Sequence, residues 1–525
     1  MIGLALGAGD LEAFLGTPLY ALPLDAFRIL AGLVSFSYFA SVLREATDFS
    51  SPDGLIDHRL SQRLLPPTRL GLFQPGISAG ALRVVLALAC LASLSLAAGY
   101  QVKPAGVFLF LVAVSTLRWN MLVTYVDDAI MHLVLFWLIL LPVGQTLTVH
   151  EWLRDGNAVF DAWAGVTVPG GATRLFLLNL AIAYFVAGVY KWTSPMWRGG
   201  SALYAILKLP IALAPDFWKP RHLPLIRAGS YAALAIEPFF PLAFVLPAGS
   251  IAKWFMVASV VGFHLAIIAT LKIPFANLAM LGAIPIVLHD EIMGGVLGHP
   301  LPPLDAGAGA FGLPEYAGLA LVCCLVLMLL LEVRFMGRLT SPGLWKTTVS
   351  GFRRNPMCVV LWCVGIAQSY RLFDWIDRRN HHALYEVIEH LPSGSSRAIE
   401  PGEVFPRTIR HVLLQSYVHG SIWHQIDPSG LREARRSILG RYARRYAQRH
   451  RESGRVEVFA IRQRITPDNL MLERGVRRPL LRFSVAGGVP VLEYLCVEPT
   501  GEHLEVQEIV GLGSHPSAGR RTAGR

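Results

Sequence analysis

Long runs of apolar residues recur along the first 373 positions of this chain. Ten runs approach the roughly 20 residues that a helix needs to cross the hydrocarbon core of a bilayer. They cover residues 22–43, 82–99, 104–118, 128–147, 174–190, 229–247, 250–271, 273–288, 313–334 and 356–373. Because backbone groups in hydrocarbon must hydrogen-bond within their own segment, these runs should be helices. The pattern predicts an all-α polytopic membrane bundle of about nine or ten transmembrane helices over residues 1–373.

The pattern changes after position 374. Residues 400–452 favour soluble helices, and residues 455–462 alternate apolar and polar positions as a strand does. Residues 482–495, with Gly487-Gly488 near the centre, predict a hairpin. We therefore expect a small, basic, soluble α+β domain over residues 374–512 and a disordered tail over 513–525.

Composition supports a membrane protein over a soluble one. Hydrophobic residues make up 53% of the chain and charged residues only 16%, against about 25% charged in soluble domains. The net charge of +11 is concentrated as arginine after position 374, which suits anionic lipid headgroups or an acidic partner. No recognition motif accompanies this charge, so nucleic acid is not a predicted partner. The six cysteines form no CxxC pair, so no metal site is predicted.

Loop charges give an orientation. If the ten runs all span the bilayer and the N-terminus lies outside, the inner loops hold seventeen lysines and arginines and the outer loops four. The positive-inside rule then places Lys191 on the cytoplasmic side. One missed or false span before Lys191 reverses that side.

Several ionisable residues lie in or beside the apolar runs, where an unpaired charge is costly. Lys191 ends the run at 174–190. It is either an interfacial anchor that extends to the headgroups or a general base whose amine is kept uncharged by desolvation. Glu237 and His264 lie in the middle of later runs, and we hypothesise that they line one polar cavity with Lys191. Asp25 and Arg28 are spaced to form an ion pair.

Asp127 and Asp128 open the fourth run, where a carboxylate suits the helix dipole.

Four stretches of the sequence carry a likeness to a known family. They are Leu24-Asp-Ala-Phe27-Arg28-Ile-Leu-Ala-Gly32, Arg118-Trp119-Asn120 with Asp127-Asp128, Tyr184-Phe-Val-Ala187-Gly188-Val-Tyr-Lys191 with Trp197 and Gly200, and Phe263-His264 with Ile273-Pro-Phe275. They resemble the HTTM (horizontally transferred transmembrane) domain family, which includes vitamin K-dependent gamma-carboxylase.

The resemblance implies that Lys191 is the base that deprotonates a reduced quinone, vitamin K hydroquinone. Oxygen then adds, and a strong base forms that removes a proton from a peptidyl glutamate, whose carbanion captures carbon dioxide. The candidate catalytic residues are therefore Lys191, His264 and Glu237. The candidate substrate or cofactor pocket comprises Tyr184, Trp197, Trp119, Asn120, Asp128 and Arg28.

The sequence departs from the carboxylase pattern at one functional position. A histidine follows the tryptophan–asparagine step in the carboxylase, whereas Met121 and Leu122 follow it here. This departure weakens the case for carboxylation more than the case for quinol oxygenation.

Two functions from different classes follow. The first is a quinol-dependent oxygenase or carboxylase that acts on a peptide. The alternative is a non-redox membrane factor for the maturation or export of a secreted peptide. Both are expected in the cell membrane as multi-pass proteins, in a bacterial inner membrane, with membrane lipids and a peptide as partners. The oligomeric state stays open.

Overall fold

The structure of the protein is a computed structural model. It describes residues 15–51, 54–58, 71–73, 76–119, 121–156, 159–299, 312–331, 360–361, 364–366, 381–418, 428–451, 454–464 and 476–495. The expected boundary at 373/374, the tail at 513–525 and most of the run at 356–373 lie outside these residues.

Nine helices account for most of the first 331 residues that are described. They are α1 Ala21–Arg44, α2 Ala79–Ala98, α3 Val102–Trp119, α4 Val126–Leu140, α5 Gly171–Trp192, α6 Leu223–Phe239, α7 Ile251–Thr270, α8 Pro274–Gly282 and α9 Leu313–Leu331. Nine of the ten predicted runs thus contain a helix in the described part of the chain, although residues 141–147 of the fourth run are not helical. Four of them (α1, α2, α5 and α7) are long and apolar enough to cross a membrane.

Two of the predicted runs are broken helices. Pro238 stands near the end of α6, which continues as a 3-10 turn over Phe240–Phe244. The run at 273–288 divides into α8 and the short helix Ile284–Val287. Proline removes a backbone donor and clashes with the preceding turn, so neither run forms one continuous helix.

Shorter elements connect the long helices. The helical turns and short helices are Ala46–Phe49, Met121–Val123, Val149–Asp155, Val159–Ala164, Pro195–Arg198, Ala202–Lys208, Pro220–His222 and the π-helix Glu291–Val296. Strands β1 Leu19–Tyr20 and β2 Thr167–Val168 pair antiparallel. The pair corrects the expectation of a bundle without strands, because two-residue strands are too short to leave an alternating pattern in the sequence.

The C-terminal region is an α+β unit, as expected from the sequence. Its strands are β3 His381–His390, β4 Ser396–Ile399, β5 Arg455–Arg464, β6 Val476–Ala486 and β7 Val489–Leu495. They form one antiparallel sheet in the order β4-β3-β5-β6-β7. Its helices are Pro401–Val404, α10 Ile409–Val418 and α11 Pro428–Arg449, and α11 packs on β6 and β7.

The hairpin predicted at 482–495 is confirmed. Gly487 and Gly488 join β6 to β7 with φ angles of 57° and 80°, and a two-residue turn with two positive φ angles matches the twist of its strands. Strands β3 and β4 were not predicted, although β3 alternates apolar Val387 with polar neighbours.

The C-terminal unit packs on one end of the helical bundle, which we call the docked end. Buried Phe49, Ile56 and Leu122 from the bundle share a hydrophobic core with Tyr442 of α11 and Val456 of β5. At the same end the Lys272 ammonium donates to the Arg407 carbonyl at 3.0 Å. The ends of α1 and α3 and the start of α4 therefore lie beneath the C-terminal unit.

Arg410 is the buried charge at this contact. Its guanidinium is 3.2 Å from the Asp128 carboxylate and 3.6 Å from that of Glu45, and it lies over the Tyr125 ring at 5.8 Å. Burial by itself lowers the pKa of Arg410, but Asp128, Tyr38, Tyr125 and Glu45 more than offset this effect, so its pKa is raised. The C-terminal unit is thus attached by a guanidinium that stays charged.

We expect Arg410→Met to lower the thermal unfolding midpoint of the purified full-length protein by several degrees. The substitution leaves the Asp128 and Glu45 carboxylates buried without their cation, which costs about 3–5 kcal/mol. Arg407→Met is the matched control, because that guanidinium is 68% exposed and pairs with Glu400 at the surface, where a pair contributes about 0–1 kcal/mol. Equal midpoints for the two variants would contradict the assignment.

Candidate functional site

Helices α5 and α6 approach each other closely because one position on α5 has no side chain. A Cβ atom built on Gly188 would lie 2.5 Å from Cδ of Pro238, which is closer than any real contact. The approach places Lys191, one turn later on α5, against Glu237 on α6. Lys191 Nζ donates to Glu237 Oε2 at 2.5 Å, and both side chains are buried.

A cavity of about 200 Å³ begins at this ion pair. It lies between α6 and α7, and the short helix Ala202–Lys208 and Trp218 form another part of its wall. Among the described lining residues, the polar or charged ones besides the two indoles are Lys191, Glu237 and Thr270. Leu225 at its rim is 69% exposed. The cavity therefore has apolar walls, one charged end and an apolar rim.

Backbone pairing fixes the part of the wall that follows Ala202–Lys208. Leu213 N donates to the Thr270 carbonyl at 2.9 Å, and Lys272 N donates to the Ile211 carbonyl at 2.8 Å. The segment between α5 and α6 is thus fastened to the end of α7. Trp197 is buried in this segment, with the Lys191 amine 5.5 Å from the centre of its ring.

The environment of Lys191 bears on both interpretations of its sequence position, the interfacial anchor and the uncharged general base. With 2% of the residue exposed, the amine is not an anchor that extends to water. Nor is it a lone uncharged amine, because it shares a proton with Glu237. The pair is either ammonium and carboxylate or amine and carboxylic acid, and one hydrogen bond joins the two groups.

A second polar cluster lies about two helical turns from Lys191 along α5. The Tyr184 hydroxyl is 2.5 Å from Nε2 of His264 on α7, and Nδ1 of His264 is 2.7 Å from Oδ1 of Asn277 on α8. Asn277 Nδ2 donates to the Ile273 carbonyl at 2.6 Å. Neither Tyr184 nor His264 is among the described residues that line the cavity beside Lys191, contrary to the expectation that His264 shares one polar cavity with Lys191 and Glu237.

Besides Tyr184, three residues expected in the pocket lie elsewhere, and each makes a structural contact. Arg28 donates to Asp25 at 2.8 Å and to four backbone carbonyls. The Trp119 ring stacks on His58 at 4.2 Å. Asp128 accepts from Tyr38 at 2.6 Å and from Arg410. Asn120 lies outside the described residues.

Two groups that matter in the structure were not prominent in the sequence. Asn277 orients His264. In the sequence it stands out only as a polar residue inside the apolar run at 273–288. Lys253 and Glu291 form another buried ion pair, 2.9 Å apart, near the end of the bundle opposite the docked end. Glu291 begins the π-helix Glu291–Val296 and lies 38 residues from Lys253, so its partnership could not be read from spacing.

No protein-family model matches this chain, and neither a curated protein nor a solved structure matches it.

We expect Gly188→Ala to destabilise the protein by about 1–3 kcal/mol, because the new methyl group forces α5 and α6 apart where they are tightly packed. The measurement is thermal unfolding of the purified chain. Gly262→Ala on α7 is the matched control: a Cβ there meets no atom within 4 Å, and alanine in a helix is about 1 kcal/mol better than glycine. A Gly188 variant as stable as the Gly262 variant would exclude the close approach.

Proposed function

We propose that this chain is a multi-pass membrane enzyme that binds a reduced quinone in the cavity beside Lys191 and deprotonates it through the Lys191–Glu237 pair. The observation that carries the proposal is a buried ion pair at the closed end of a cavity with apolar walls. Ligand sites commonly combine apolar walls with a few placed polar groups, and ionisable groups inside a membrane protein mark functional sites.

The membrane assignment is supported by the outer surface of the helices. Leu33, Leu91 and Phe255, on three of the four long apolar helices, are 47%, 63% and 68% exposed. Side chains of this kind suit lipid tails as neighbours. The basic C-terminal unit at the docked end favours the cytoplasmic side for that end under the positive-inside rule, in a bacterial inner membrane. Lys191 lies near the same end.

The cavity fits the shape and polarity of a quinol head. The rings of Trp197, Trp218 and Phe263 line it, and aromatic rings stack favourably on a flat aromatic ligand. The Lys191–Glu237 pair lies where a hydroxyl of the head would reach. The apolar rim at Leu225 leaves a path for an isoprenoid tail towards lipid. A bound quinol supplies two electrons and two protons to an oxidant such as oxygen.

The chain contributes the acceptor for the first of those protons. In the ammonium–carboxylate form, Glu237 has a free oxygen lone pair that accepts a hydroxyl proton, while the Lys191 ammonium stabilises the oxyanion that remains. In the amine–acid form, the Lys191 amine accepts the hydroxyl proton, and the Glu237 acid keeps its own proton and donates a hydrogen bond to the oxyanion. Either route leaves one positive charge on the pair opposite one negative charge on the ligand, which favours proton transfer in an apolar site.

The carboxylation half of the family chemistry has less support. Leu122, at the position that follows the tryptophan–asparagine step, is buried in the core of the C-terminal unit, and Lys191 lines a different cavity. We therefore propose quinol deprotonation and oxygenation as the activity that the site favours. Action on a peptide remains the extension that the resemblance implies.

The test uses purified full-length protein in lipid vesicles with menadiol, a reduced naphthoquinone, and oxygen. We expect oxygen uptake that falls by about 100-fold or more in Lys191→Met, in line with the loss of a general base. Lys253→Met is the matched control, because it removes the amine of another buried lysine–glutamate pair that does not line the cavity.

Two results would contradict the proposal: no uptake by the native chain, or equal losses in the two variants. A peptide that copurifies with the native chain and with Lys191→Met alike would favour the non-redox maturation or export factor.

We expect Ala233→Leu to weaken menadiol binding without removing a titratable group. Ala233 lines the cavity and is 6% exposed, so the larger side chain occupies space that the ligand needs. We expect a raised KM. The free energy of unfolding should fall by no more than overpacking costs, about 1–3 kcal/mol. An unchanged KM would place the binding site elsewhere.

A further inference from the structure

The open end of the cavity lies at the docked end of the bundle. Leu225 lines the cavity on the first turn of α6, and Leu271 lines it directly after the last residue of α7. The next residue, Lys272, donates to the Arg407 carbonyl of the C-terminal unit. Because α7 is long and apolar enough to cross a membrane, its end should lie at the level of the lipid headgroups. We call the surface formed by residues 208–227 at this end the mouth of the cavity.

The mouth carries more positive than negative charge. Its four cations are Lys208, Lys219, Arg221 and Arg227, and its one carboxylate is that of Asp216. Three of the four cations are exposed, and Lys208 is half-buried. Unlike the buried Lys191, none of the four forms an ion pair with a carboxylate among the residues that the structure describes. The mouth therefore presents positive charge that the described chain does not neutralise.

Two of these cations are positioned directly beside the cavity. Lys208 and Lys219 each follow a residue that lines it, Leu207 and Trp218. Lys208 Nζ donates to the Pro215 carbonyl at 2.8 Å, which ties the short helix that ends at Lys208 to the turn that leads to Lys219. Burial lowers the pKa of Lys208, and so does the positive charge of Lys219 nearby. An ammonium has three donors, so Lys208 keeps two for the oxygens of an anion.

Exposed apolar side chains share the mouth with these cations. Leu213, Phe217 and Leu225 are more than half exposed. The Phe217 ring stacks on His222 at 5.2 Å, which holds it at the surface. Large apolar groups beside cations suit the boundary between acyl chains and headgroups, where a ligand is apolar at one end and charged at the other.

We propose that the mouth binds one anionic phospholipid, with its phosphate at Lys208 and Lys219 and an acyl chain over the exposed apolar side chains. The inference rests on the membrane assignment of the proposed function, and it holds whether or not a quinol enters the cavity. In phosphatidylcholine a quaternary ammonium offsets the phosphate, whereas phosphatidylglycerol keeps a net negative charge for the cations to neutralise. A free phosphate ion would leave the apolar side chains in water.

Quenching of Trp218 fluorescence by brominated phospholipids tests the site, because bromine quenches only tryptophans close to the acyl chain that carries it. Trp218 lines the cavity next to Lys219. The purified full-length protein is placed in phosphatidylcholine bilayers with a rising fraction of brominated phosphatidylglycerol or brominated phosphatidylcholine. The signal of Trp218 is the part that Trp218→Phe loses. We expect half-maximal quenching at a phosphatidylglycerol fraction at least about fivefold lower than the phosphatidylcholine fraction.

Lys208→Gln combined with Lys219→Gln should abolish this preference and leave quenching by brominated phosphatidylcholine unchanged. The matched control combines Arg444→Gln with Arg449→Gln, which removes the same charge from exposed positions of α11 and should keep the preference. Equal losses in the two double variants would show a general effect of surface charge and overturn the site. Equal quenching by the two lipids in the native chain would overturn it as well.

Menadiol oxidation separates this inference from the proposed function. A native chain that keeps the phosphatidylglycerol preference but does not oxidise menadiol removes the quinol function and supports the lipid site. A native chain that oxidises menadiol without the preference overturns the lipid site alone.

Discussion

A charged group that leaves water for an apolar interior must meet an opposite charge, and this constraint organises the whole structure. An unpaired buried ion costs several kcal/mol, and four of the buried cations described here are found with carboxylates. Arg28 holds Asp25, Arg410 lies against Asp128 and Glu45, Lys253 holds Glu291, and Lys191 holds Glu237. Each pair joins segments or steadies a helix end, and together they fix which helices meet.

The Lys191–Glu237 pair differs from the others because it opens onto empty space. The Arg28–Asp25 pair is saturated by backbone donors and acceptors on every side, so neither member has capacity for a ligand. The Lys191–Glu237 pair instead faces the cavity on one side. Because the pair has spare hydrogen-bonding capacity next to an apolar space, it can bind a ligand. The same residue types elsewhere only support the fold.

Much of the fold could be predicted, and the reason is local. Apolar length and strand alternation depend on neighbours along the chain, so the helices of the bundle, strand β5 and the Gly487-Gly488 hairpin were all foreseen. Strands β3 and β4 were missed, and so was the broken end of α6 at Pro238. The candidate site was foreseen in part: Lys191, Glu237, Trp197, Tyr184 and His264 gather in two clusters.

The sequence by itself determined that these ionisable residues lie in apolar segments, because hydropathy is a property of the segment alone. Only the tertiary structure decided their partners. Trp119 and Asp128 contact His58 and Arg410 at other points of the bundle, and the exception is the Asp25–Arg28 pair, which the spacing of three residues on one helix predicted. Gly188 became decisive only when Pro238 was found against it. Such pairing depends on how helices that are distant in sequence pack together. The spacing of residues along the chain does not give the distance between those helices.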